Sequence, residues 1–240
     1  MRRISKRAIA LILALLVLLA IAAGLLWLKL FVVRNVVIEG ATDISQEEII
    51  RATKIVFGGS IAKVDAEKLR ANLESTGVYS LDDVTVRYPN TVVLSVRQRT
   101  RDATVLNGGQ YLVMDSDGYV IETSATLPED GGVYVYGLGA TAYRVGGRIT
   151  APEDRLLAMK RALDALREQN AMEYISDLDL SDTAQLWMTT RTGLRVNLGG
   201  TENMYDKILW MRAAVSDLEA RGEIRGTLDV SNGERADYMP

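Results

Sequence analysis

Apolar and polar positions alternate along this chain with three different periods, and each period predicts a different kind of element. From Ala8 to Leu28 there is no polar position at all: 21 residues pass without a charge, most of them Leu, Ile, Ala or Val. At about 1.5 Å rise per residue such a helix is roughly 31 Å long, close to the ~30 Å hydrocarbon layer of a bilayer. Arg2, Arg3, Lys6 and Arg7 precede the run and only Lys29 and Arg34 follow closely. The positive-inside rule therefore predicts a cytoplasmic tail (1–7), a transmembrane helix (8–28) and everything later outside the cytoplasm. A cleaved signal peptide is the competing expectation, with Ala20-Ile21-Ala22 as its small-residue site. Leu25, Leu26 and Trp27 prolong the run beyond that site, which favours an anchor.

The next 70 residues mix the two remaining periods. The β-branched run Phe31–Glu39, closed by Gly40, predicts a strand. Ser45 with Glu48 predicts a capping box and a helix ending at Gly58-Gly59; Asp65 predicts the cap of a second helix that buries Leu69 and Leu73 and stops at Gly77. Residues 84–88 and 92–96 alternate on either side of Pro89-Asn90 and predict a hairpin. The module is then β-α-α-β-β over 31–101.

Beyond Ala103 the pattern becomes short strands and tight turns: 104–106, 111–114 and 119–121 around Asn107-Gly108-Gly109 and Asp117-Gly118. Residues 124–150 hold six glycines and little periodicity, and predict loop with one strand at 133–136. Thr150 to Glu153 predicts a second capping box, with Pro152 in the first turn and Leu156, Met159, Leu163 and Leu166 on one face. Strands at 178–180, 185–189 and 194–199 form a meander. Met204, Ile208, Met211, Val215 and Leu218 stripe a helix that Gly222 closes, and 226–231 predicts the last strand before a polar tail, 232–240. The fold class is α+β: a transmembrane helix, the β-α-α-β-β module, then a mixed α/β domain (102–231) on a largely antiparallel curved sheet.

Composition removes much chemistry. The chain has no Cys and no His, which excludes disulfides, zinc sites of the usual kind and His-based triads. After the apolar run, 24 basic side chains face 31 acidic ones, a net charge of −7 that speaks against nucleic acid. Ser60-Ile61-Ala62-Lys63 reads S-x-x-K, but the S-D-N and K-T-G elements of penicillin-binding proteins are missing. Asp115 with Asp117 begins like a calcium loop without its later ligands. The same pair, or Asp177 with Asp179, offers carboxylates for acid-base work on a sugar, which keeps a cell-wall glycan-binding module or hydrolase as an alternative. No catalytic residue, metal, cofactor or small-molecule substrate is expected.

The order Val36, Ile38, Gly40, Ser45, then Arg87, Pro89, Val93, Val96 and Arg99, directly after a single span, resembles the polypeptide-transport-associated (POTRA) domain of the FtsQ/DivIB cell-division proteins. Gln98 departs from it, where the family often carries Glu, so an ion pair to Arg99 is not carried over with the fold. Thr190, Gly193, Val196, Leu198, Gly199, Lys207, Gly226, Leu228, Asp229 and Ser231 extend the likeness to the end of the chain. The resemblance implies a division scaffold at the septum that recruits bitopic coiled-coil proteins of the FtsB/DivIC and FtsL kind. The chain's own pattern nominates the place: a terminal strand over Gly226, Thr227, Leu228, Asp229, Val230 and Ser231, if it lies at a sheet edge, with Arg225 and Tyr238 at the rim.

Overall fold

The computed structural model describes residues 13, 15–19, 21, 24, 30–40 and 45–240. Among them no helix is long and apolar enough to cross a membrane. The span expected at 8–28 lies mostly outside the described residues; Leu13, 15–19, Ile21 and Gly24, which are described, are helical. Contacts divide the chain into two units, 1–73 with 79–98, and 74–78 with 99–240.

The first unit has the expected β-α-α-β-β order: β1 (Asn35–Glu39), α1 (Gln46–Thr53), α2 (Ala66–Glu74), β2 (Tyr79–Arg87) and β3 (Thr91–Gln98). Strand β3 is central, parallel to β1 and antiparallel to β2. Asp65 accepts the Lys68 amide at 3.2 Å and so caps α2, and Leu69 and Leu73 are buried as their four-residue spacing requires. The capping box at Ser45 does not form. Ser45 occupies the cap position without a side-chain bond, and the Glu48 carboxylate instead accepts the Tyr79 hydroxyl at 3.2 Å. Helix α1 also ends before Gly58-Gly59, because Lys54 adopts a left-handed conformation and closes it. The S-x-x-K residues lie on a single 3₁₀ turn, Ile61–Lys63, with Ser60 and Lys63 both exposed.

The second unit is built on one nine-stranded sheet. Its strands are β4 (Ala103–Asn107), β5 (Gln110–Met114), β6 (Val120–Ser124), β7 (Val133–Tyr136), β8 (Ile175–Asp179), β9 (Leu186–Thr190), β10 (Arg195–Gly199), β11 (Thr227–Asp229) and β12 (Asp237–Met239). They lie in the order β12-β11-β10-β9-β8-β7-β4-β5-β6. Five pairings are antiparallel, and β4/β7, β7/β8 and β10/β11 are parallel. Two helices, α3 (Glu153–Glu168) and α4 (Met204–Ala220), share one core with the sheet. All of Leu156, Met159, Leu163, Leu166, Ile208, Met211, Val215 and Leu218 are buried. The Thr150 box, like the Ser45 one, is not used: α3 begins after Pro152, which has no side-chain cap to give.

One correction concerns the end of the chain. The tail 232–240 contains a strand, β12, and β12 rather than 226–231 is the last strand of the sheet.

A candidate strand-docking edge

Strand β11 starts where Gly226 lets the chain turn. Gly226 has φ +106°, and a Cβ there would stand 2.3 Å from the Met239 carbonyl oxygen. Only glycine combines that conformation with so close an approach. Leu228 and Val230 then point into the core, both fully buried, while Thr227 and Asp229 take the other face. The Asp229 carboxylate accepts the Asn197 side-chain amide and the Ser231 backbone N–H, each at 2.9 Å. Partial burial alone would raise the Asp229 pKa, but the bonds from Ser231 and Asn197 outweigh it and hold the group below its ordinary value. Lys207, on α4, donates from Nζ to the Gly200 carbonyl at 2.8 Å, and burial pushes its pKa down against the opposing pull of Glu202.

The condition placed on 226–231, that it lie at a sheet edge, is not met. Thr227–Asp229 is flanked by β10 on one side and β12 on the other. Val230 N–H donates to Asn197 O at 3.0 Å, so proline at Val230 removes a ladder bond and destabilises the sheet before it tests any partner. Sequence reasoning missed β12 because three residues, Asp-Tyr-Met, give no period to count. The one available signal was the half-apolar Ala236-x-Tyr238 alternation after Gly233.

The ladder fixes which way the last strand's polar groups face. Arg195 N–H donates to Gly226 O at 3.2 Å and Val230 N–H to Asn197 O at 3.0 Å. The groups of Leu228, two residues from each, therefore also face β10, and those of Thr227 and Asp229 face β12. Their partners are Met239 and Asp237. Tyr238 sits between these two bonded pairs, opposite Leu228, so its own N–H and C=O aim away from the sheet. Among the described residues no strand pairs on that side. Its side chain is held from below: the ring packs against the core, and the hydroxyl donates to Arg225 O at 2.6 Å. Of the nominated residues, the structure thus brings Tyr238 and the Arg225 main chain together at an open edge and encloses Thr227–Asp229 behind it.

Gly226→Ala is expected to lose about 1–3 kcal/mol, because the new Cβ both strains the backbone and collides with the carbonyl that docks β12. Thermal unfolding reads that loss, and release of 236–240 appears as faster carboxypeptidase trimming.

The carboxylates considered for sugar or calcium chemistry are all engaged. Asp115 bonds the Tyr119 amide and the Arg99 guanidinium, and Asp117 pairs with Lys160 at 2.7 Å. Asp177 accepts the Thr189 hydroxyl at 2.7 Å, and Asp179 accepts the Ser181 amide at 2.9 Å.

Residues 31–99, which hold the β-α-α-β-β module with its parallel β1/β3 pair, match the POTRA domain, FtsQ-type. The chain is 22% identical to cell division protein DivIB of Clostridium acetobutylicum over 75% of its length and 72% of that protein. It is 23% identical to DivIB of Clostridium tetani over 82% of its length and 73% of that protein. It is 22% identical to cell division protein FtsQ of Corynebacterium glutamicum, covering 86% of this chain and 90% of that one. Residues 31–99 thus match an FtsQ-type POTRA domain, and most of the chain is similar to cell division proteins named DivIB and FtsQ.

Proposed function

We propose that this chain is a cell-division protein, a membrane-anchored scaffold that lends the outer edge of β12 to a strand of a partner. Residues 8–28 span the plasma membrane with the N-terminus in the cytoplasm, and both units stand outside it at the septum. The partner is a bitopic coiled-coil division protein of the FtsB/DivIC or FtsL kind, whose extended segment adds a tenth strand. The observation that carries this reading is the pair of outward main-chain groups on Tyr238, backed by a side chain anchored at both ends. Backbone pairing supplies affinity in such an arrangement, and the exposed Met239 and Asp237 beside it supply specificity.

Co-purification from membranes tests the proposal. The full chain is expected to retain a bitopic coiled-coil partner, and to lose it when 236–240 are deleted. Retention without those residues, or turnover of peptidoglycan fragments by the purified chain, contradicts it.

A further inference from the structure

Three segments of the first unit converge where the chain emerges from its apolar run. Residues 31–33 zip onto the loop that follows α1: Val33 N–H donates to Gly59 O and Gly58 N–H to Val33 O, both at 2.9 Å, and Ile61 N–H to Phe31 O at 3.1 Å. The tip of the β2–β3 hairpin joins them, since Arg34 and Asn35 both donate to Asn90 O and the Phe31 and Tyr88 rings lie 5.9 Å apart. The surface of this pole is apolar. Phe31, Val32, Ala62 and Tyr88 line an open hollow, and beside it Val56 is 71% exposed, Phe57 51% and Tyr88 66%. Lys54 and Lys63 stand exposed at its margin.

A contiguous apolar patch with lysines at its margin is unusual on an exposed surface, and its position next to the apolar run says what covers it. Phe31 follows Leu28 by three residues, a reach of at most about 11 Å even when fully extended. The headgroup layer beyond the ~30 Å hydrocarbon core is itself only about 5–7 Å deep on each side. Phe31 is therefore held within about 4–6 Å of the headgroup surface even at full extension. We propose that this pole is seated on the outer leaflet, with Val56, Phe57 and Tyr88 in the interfacial layer and Lys54 and Lys63 against lipid phosphates. The seat rests on the reading of 8–28 as an anchor. It gives the POTRA module a fixed footing on the membrane in addition to the tether.

The absence of cysteine makes the test clean, because single cysteines introduced for nitroxide labelling have no competitors. The full chain is reconstituted in vesicles of phosphatidylethanolamine and phosphatidylglycerol, labelled at Phe57→Cys, Tyr88→Cys, Leu18→Cys or Glu47→Cys. Position 47 lies on the first turn of α1, after the far end of β1, and is exposed. Collision rates with oxygen, which concentrates in lipid, and with a water-soluble nickel chelate are compared. The oxygen-to-nickel ratio at positions 57 and 88 is expected to exceed that at 47 several-fold and to fall short of that at 18. Ratios at 57 and 88 equal to that at 47, with 18 still lipid-like, overturn the seat and leave the anchor intact. Shielding of 57 and 88 from both reagents alike means cover by protein and also overturns it. A water-like ratio at 18 removes the anchor, and the seat with it.

Discussion

Replacing Arg99 with Met is expected to cost the second unit about 3–5 kcal/mol, the range for breaking one half of a buried ion pair. For a chain of this size that is roughly 6–20 °C in melting temperature. The Arg99 side chain is 2% exposed, bonded to an Asp115 carboxylate that is 7% exposed, with Glu74 at 3.9 Å and the guanidinium carbon 3.8 Å above the Tyr119 ring. Removing the cation leaves Asp115 buried and alone with the Tyr119 amide. Burial already raises the Asp115 pKa above its ordinary value, against the lowering effects of the Tyr119 amide and Arg99.

The direction of that shift sets the pH dependence of the variant. A carboxyl whose folded pKa lies above its unfolded one binds more protons when folded, so stability is greatest below the ordinary carboxylate value and falls as pH rises through the folded one. Without Arg99 the shift grows, and the variant is expected to recover part of its loss in mild acid. Urea unfolding from pH 4 to 8 checks this. Arg99→Met with Asp115→Asn is expected to be more stable at pH 7 than Arg99→Met alone, because no charge is left stranded. A loss of under 1 kcal/mol in the single variant means that the pair is as weak as a surface one.

The second large effect is on partner binding. Tyr238→Pro is expected to weaken it at least tenfold, the effect of about 1.4 kcal/mol from one lost main-chain bond and an unpaired acceptor opposite it. The Tyr238 N–H takes no part in the β11–β12 ladder, so proline leaves the Thr227–Met239 and Asp229–Asp237 pairs in place, and proline is tolerated at a strand edge. Tyr238→Ala is the control. Both variants forfeit the ring's packing and the bond to Arg225 O, but alanine keeps its N–H. Titration of the full chain with the partner's exported segment is expected to separate them, with alanine binding more tightly. Equal binding by the two places the contact in the side chain rather than the main chain.

How much of this was legible in the sequence follows from how local each interaction is. The helix stripe from Met204 to Leu218 and the hairpin around Pro89-Asn90 are written in neighbouring residues, and both formed. The S/T-x-x-E pattern at Ser45 is just as local, yet it lost to a distant competitor when Tyr79, on β2, took the Glu48 carboxylate. Arg99 was visible as a motif residue, but its partners come from Glu74 and Asp115, which no spacing announces. The docking edge was hardest. Which strand is outermost depends on β10 pairing in parallel with β11 across an intervening helix, and on a three-residue strand too short to carry a period. The nomination therefore fell one strand short, with Tyr238 at its rim.

Amide hydrogen exchange at Tyr238 tests the central claim most directly. In the free chain this amide is expected to exchange faster than those of Thr227 and Asp229, which face β12. Addition of the exported segment of the bitopic partner should slow Tyr238 strongly, since a new strand can bond only through that N–H and C=O. If a complex forms and Tyr238 exchanges as before, the partner is held elsewhere and the edge-strand account is wrong.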